Sequence, residues 1–284
     1  MTQTRGLMLT LLVLGLLIVS AQLSYKKIGP APIKLYFSAK NNSVLQGYVQ
    51  VPQGGNPVTS SRKRPTFAEL GIDHLSFQSN ATALLWAHHG FYEQHQDLHP
   101  SSTAVLTTPL KSHNISIPAN TPITTRTLFD WWRWSWLKCL YGPFHHLLIA
   151  PEWGMVLVNF DYHFKTPQKE SDRHFHAINA TYGYNIQLHW GSFNFLYHVM
   201  KTLPWMNFHL SQQVFQIQIP IVQGPQLSLA LSMGAGREAV RYKDHQPMPN
   251  DIYFKLPFYG SIGLVVLEKN TPVHKENNLL QDQR

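Results

Sequence analysis

Over the second half of the chain, apolar and polar residues alternate with period two for long stretches. Across residues 178–190 one face reads Ile178, Ala180, Tyr182, Tyr184, Ile186, Leu188 and Trp190; the other reads Asn179, Thr181, Gly183, Asn185, Gln187 and His189. Successive side chains change sides only on an extended strand, so this pattern predicts a half-buried β-strand. Residues 152–164 repeat it, with Val156, Val158, Phe160, Tyr162 and Phe164 opposite Met155, Leu157, Asn159, Asp161 and His163. Further runs at 212–221, 227–233 and 252–266 are separated by Gly224-Pro225 and a polar stretch at 243–250, and Gly191-Ser192 ends the 178–190 run. Consecutive strands joined by short turns predict an antiparallel meander. Each large apolar side chain buried contributes about 1.5–3 kcal/mol, so the apolar faces set the register.

The first half is more broken. Runs at 34–38 and 44–51 read as a hairpin turning at Asn41-Asn42, and 52–65 reads as a polar loop. Short β pieces follow at 75–77, 81–87, 104–108, 114–117 and 123–128, punctuated by Pro109, Pro118 and Pro122. The segment FDWWRWSWLKCL departs from this pattern. Phe129, Trp132, Trp136 and then Cys139 or Leu140 are spaced by three and four, Asp130 lies near the start and Lys138 near the end, and Gly142-Pro143 follows. This spacing predicts an amphipathic helix over 128–141, capping a β body or lying at a membrane surface. Trp131, Trp132, Trp134 and Trp136, with Tyr182, Tyr184 and Trp190, are the candidate ligand- or membrane-facing residues.

The expected fold is mainly β: an antiparallel meander forming a lipocalin-like barrel, a curved sheet or a sandwich, with one N-terminal helix and one tryptophan-rich helix. An outer-membrane barrel would suit the alternation and the aromatic content. The proline-rich first half, and a chain that does not finish on a strand with a terminal aromatic, set that alternative behind the soluble ones.

The apolar run LMLTLLVLGLLIVSAQL, preceded by Arg5, reads in two ways. As a signal peptide it offers cleavage after Ala21. As an uncleaved anchor it spans roughly 26 Å of helix. The expected organisation is therefore a leader or anchor at 1–27, a β domain at 28–268 and a polar tail at 269–284. The β domain divides into halves 28–126 and 150–268, joined by the helix at 128–141. Export to the periplasm or cell envelope follows, with secretion if the leader is removed.

Composition sharpens this only slightly. Charged residues make up 13% of the 284, against roughly 25% in soluble domains, and aromatics make up 12%. That excludes disorder. The net charge of +8 favours anionic partners, but the only basic cluster, Arg62-Lys63-Arg64, carries no RNA-binding or zinc-finger spacing, so specific nucleic-acid binding is not expected. A single cysteine, Cys139, excludes an internal disulfide and a cysteine-based zinc site.

Histidines supply the candidate chemistry. On a strand, His95, Asp97 and His99 share a face. His163 with Asp161, and His174 and His176 with Asp172, would meet if their strands pair antiparallel. Both groups offer imidazole and carboxylate ligands for a divalent metal, although neither matches a zinc signature. No serine elbow or phosphate loop is present, and 233–237 (MGAGR) reads as a bulge rather than a nucleotide fingerprint. No residue is assigned to catalysis. The first functional expectation is a non-catalytic envelope protein, held to the membrane by its N-terminal helix and binding a hydrophobic or lipid-like ligand. The alternatives are a histidine- or metal-dependent hydrolase and a structural subunit of an envelope assembly.

Overall fold

A computed structural model describes residues 33–50, 66–72, 74–86, 89–107, 109–112, 115–141, 147–243 and 251–269. The apolar N-terminal run, the basic cluster and the polar tail beyond Lys269 lie outside these residues. Among the described residues the chain forms β1 (Ile33–Val44), β2 (Gln46–Gln50), β3 (His74–Leu85), β4 (His89–Leu98), β5 (Ser101–Val105), β6 (Leu110–Ser112), β7 (Ile115–Ile117), β8 (Pro122–Lys138), β9 (Leu140–Tyr141), β10 (Leu147–Lys165), β11 (Glu170–Trp190), β12 (Phe193–Thr202), β13 (Phe208–Gln223), β14 (Leu227–Lys243) and β15 (Asp251–Lys269). No described helix is long and apolar enough to cross a membrane, which says nothing of crossing by strands.

The strands form a ring. Following hydrogen bonds, β8 pairs β4, then β3, β1, β15, β14, β13, β12, β11 and β10, and β10 pairs β8 again. Every ladder is antiparallel, and β1 meets β15 from Ile33↔Lys269 to Ser43↔Tyr259. The meander is therefore a closed ten-stranded barrel without a free edge, not a lipocalin-like barrel, curved sheet or sandwich. An even strand number brings Ile33 and Lys269 to one rim, here called the terminal rim. The tight turns at 191–192 and 224–226 lie on that rim. The far rim carries the longer excursions: β2 and the 66–72 turn between β1 and β3, and β5 to β7 between β4 and β8.

Several sequence expectations are corrected. No helix spans 128–141; these residues form the C-terminal part of β8 and its approach to β9. Trp132, Trp134 and Trp136 point outward, while Trp131, Arg133, Ser135 and Leu137 point inward. Bulky residues fill both faces, so the three-and-four spacing was a coincidence within a period-two element. Asn41-Asn42 is not a turn. Asn41 is buried inside β1 and donates from Nδ2 to Ser79 Oγ at 3.0 Å, while β2 pairs β15 instead of β1. His95 and Asp97 lie on the outer face of strand β4, and His99 follows its last residue. The expected irregularity near 233–237 is present: the β14–β15 register shifts between Gly236 and Glu238. Glycine is required at 236 because a Cβ there would fall 2.2 Å from Cζ of Tyr259, which lies directly opposite it on β15.

Candidate functional site

The polarity of the two faces reverses partway along the long strands. In β11, Ser171 and Phe175 face inward while Glu170, Asp172, His174 and His176 face outward. Beyond this point the assignment inverts: Ile178 is 61% exposed on the outside, whereas inward-facing Asn179 is 1% exposed. On β10, His163, Asp161 and Asn159 give way on the outer face to Leu157, Met155 and Trp153, while the inner apolar run Phe164, Tyr162, Phe160, Val158 and Val156 is interrupted by Glu152, with Ala150 beyond it. On β14, Lys243, Arg241 and Arg237 precede outer Met233, Leu231, Leu229 and Leu227 toward the terminal rim, with Ser232 inside. β13 and β15 behave alike, with outer Phe215 and Ile221, and outer Ile262 and Leu264.

The barrel thus has two halves of different construction. Toward the far rim the exterior is polar and the lumen is a packed apolar plug. Phe129 packs edge-on against Phe254 at 4.5 Å, and Phe160, Phe175, Phe208, Leu98 and Val240 surround them. The 66–72 turn seats Phe67 and Leu70 in this plug, held by reciprocal bonds between Thr66 and Glu69 (2.9 and 3.2 Å). Toward the terminal rim β8 and β10 to β15 carry an apolar exterior, and their luminal face gains polar residues. β1, β3 and β4 do not share this reversal, with Lys34, Ser38, Asn80, Thr82 and Glu93 outside and Leu35, Phe37, Ala81 and Ala83 inside. Leu137, Ala150 and Leu148 form a small apolar cluster in the lumen.

Two luminal clusters mark the junction. Arg133 and Glu152 form an ion pair at 3.2 Å, both side chains 1% exposed. Asn185 donates to Glu152 at 3.0 Å, and the guanidinium sits 4.5 Å from the Tyr92 ring centre. His198 Nε2 lies 2.9 Å from both Arg133 and Glu152; one ring nitrogen serves only one of them at a time. Nearer the plug, the Glu238 carboxylate accepts from Gln96 (3.0 and 3.1 Å), Gln212 (3.2 Å) and Trp131 Nε1 (3.4 Å). Beside these clusters is a cavity of about 570 Å³, counted out to open solvent, lined by Tyr92, Gln94, Asn185, His198, Gln212, Gln216 and Gln218 and by apolar Leu35, Phe37, Ala81, Leu196 and Val214. Sequence reading missed these residues. Their one signal was charge at inward positions of otherwise regular strands.

The residues singled out from sequence lie mostly on the exterior. Trp132, Trp134, Trp136, Tyr182, Tyr184 and Trp190 are in the outer apolar zone, and Trp131 is luminal. The two histidine groups do not converge. His95 stacks on Trp132 and pairs with Asp130, while His99 pairs with Asp97. On the β10–β11 hairpin, His163 pairs with Asp172 and, at 3.1 Å, with Glu170. His174 contacts Asp161 at 2.7 Å and His176 contacts Asn159 at 2.8 Å. The tail of this hairpin is a cross-strand ladder.

No family model matches the chain, and no curated protein matches it. Among solved structures it is similar to the outer membrane protease OmpT from Escherichia coli, at TM-score 0.44 and 9% identity over 87% of this chain and 99% of that one. It is also similar to Ail, the attachment invasion locus protein of Yersinia pestis (TM-score 0.34, 7% identity, 84% and 99% covered). A third is the translocator domain of the autotransporter NalP from Neisseria meningitidis (TM-score 0.34, 8% identity, 94% and 98% covered). At these scores the likeness bears on neither activity nor ligand, and the character of the barrel follows from its own two surfaces.

Proposed function

We propose that this chain is an integral envelope protein of the outer-membrane kind, crossing lipid with its strands and closed to conduction through its lumen. The observation that carries this reading is the outer apolar belt on β8 and β10 to β15, which begins where their polar outer residues end. In water, such an apolar exterior would have no driving force; in a bilayer it is the required arrangement. The outer apolar stretches, such as 149–157 on β10 and 227–235 on β14, match the ~9–11 residues a tilted strand needs to cross the hydrocarbon. The closed ladder leaves no backbone donor or acceptor facing lipid. Short turns on the terminal rim and longer connections on the far rim suit a periplasmic and an external side respectively.

This reading puts lipid against the outer belt; the lumen beneath it mixes Arg133, Glu152, Asn185 and Gln212 with Leu35, Phe37, Leu196 and Val214. The apolar plug lies across the far-rim half of the lumen, so the protein works at its rims rather than as a pore.

The test is purification without detergent, then reconstitution. Expected are retention in the membrane fraction, heat-dependent migration on SDS gels, quenching of tryptophan by brominated lipid, and no conductance steps in planar bilayers. A detergent-free soluble monomer would overturn the membrane assignment; regular conductance steps would overturn the closed lumen alone.

A further inference from the structure

We propose that the tip of the β10–β11 hairpin is a binding site for one divalent transition-metal ion, held by His163, Glu170 and Asp172. One donor atom from each residue lies within 4.8 Å of the other two. The His163 Nε2 to Glu170 Oε1 separation is 3.1 Å. Two donors at ~2.0–2.2 Å from one ion stand roughly 3.0–3.5 Å apart, so this edge already has the required length.

Register supplies the rest. Asp172 lies directly opposite His163, and Glu170 lies opposite Lys165, one rung nearer the turn. The turn is fixed by Thr166 N to Lys169 O (2.8 Å) and Lys169 N to Thr166 Oγ1 (2.9 Å), so the backbone carrying the ligands is set before any ion arrives. The two carboxylates now occupy opposite edges of one imidazole. An ion draws both toward a single ring nitrogen, which moves only exposed side-chain ends.

The chemistry is selective. One imidazole with two carboxylates suits zinc or copper better than calcium or magnesium, which prefer all-oxygen shells. Arg126, beside His163 on β8, together with Lys165 and Lys169, opposes a cation and keeps affinity moderate. Half-exposed ligands leave the remaining coordination positions to water or to an anionic group on another molecule. The site is independent of the membrane assignment, since it lies on the polar exterior.

The experiment titrates zinc chloride into the full chain in detergent micelles by calorimetry, and follows copper(II) by electron paramagnetic resonance. Expected are one ion per chain and a copper signal showing a single nitrogen ligand. His163→Ala and Asp172→Asn should each weaken binding at least tenfold, while His174→Ala on the next rung leaves it within twofold. The heat-dependent gel shift confirms that each variant is folded. Absence of stoichiometric binding in the unaltered chain, or binding that survives His163→Ala, or loss in His174→Ala equal to that in His163→Ala, overturns the proposal.

Discussion

A charge placed on this barrel has a cost that depends on which side of the wall it meets. Ile217, on the outer face of β13, and its neighbour Gln216, which lines the cavity, are one position apart. An arginine at the bilayer midplane on the lipid face costs about 2–4 kcal/mol. Ile217→Arg is therefore expected to lower folding stability in lipid by about that much, whereas Gln216→Arg, which meets the polar lumen, should cost well under half of it. Urea titration of the reconstituted protein measures both; equal costs would mean that the outer face of β13 does not touch lipid. The Arg133–Glu152 pair makes a second residue-scale case. Removing one partner of a buried pair leaves an uncompensated charge and costs about 3–5 kcal/mol. Glu152→Ala strands the guanidinium beside His198 and the Tyr92 ring. The double replacement Arg133→Met with Glu152→Leu removes both charges and should recover most of the loss, as the same unfolding curves would show.

At the scale of the element, period two was legible and direction was not. Alternation across 178–190 identifies a strand because no other conformation sends Tyr182 and Tyr184 to one side and Thr181 and Gly183 to the other. It does not say which side meets solvent. Read as a soluble protein, the apolar side goes inward; here it goes outward, as the exposure of Ile178 and Leu188 shows. The clue lay in the phase. On β11 the inward face carries Phe175 while four residues later, at Asn179, it has become polar, and a core strand of a soluble barrel has no reason to change there. β8 hid its period because Trp131 and Trp132 are both large and apolar on opposite faces. The luminal clusters were illegible for another reason: Tyr92, Arg133, Glu152 and His198 sit on four strands, and only register brings them together. The element-scale prediction concerns β13. Single cysteines at 215, 217 and 219 should be protected from aqueous thiol reagents in vesicles and reactive to lipid-borne ones. Cysteines at 211 and 213, on the same face nearer the far rim, should label from water. A uniform pattern along that face would remove the boundary between the two halves of the strand.

The whole molecule depends on closure, which no local pattern reveals. β1 and β15 stand at opposite ends of the described chain yet form one ladder, and β15 also pairs β14 along its other edge. If the barrel spans the bilayer as proposed, removing β15 leaves both β1 and β14 with unpaired backbone groups out of reach of water, each costing several kcal/mol. No side-chain contact in the barrel is large enough to offset a row of such groups. Folding should therefore be all-or-none with respect to the last strand, and slow, because the closing contacts join the most distant segments. A chain ending before Asp251 is expected to give no heat-resistant species on SDS gels and to stay aggregated on transfer from urea into micelles. Trp205→Ala, on the exposed 203–207 turn of the far rim, serves as the control and should fold at the normal yield. A truncated chain that still inserts and resists SDS would mean that the remaining strands reclose as a smaller ring, and that the β1–β15 ladder is not what confers stability in the bilayer.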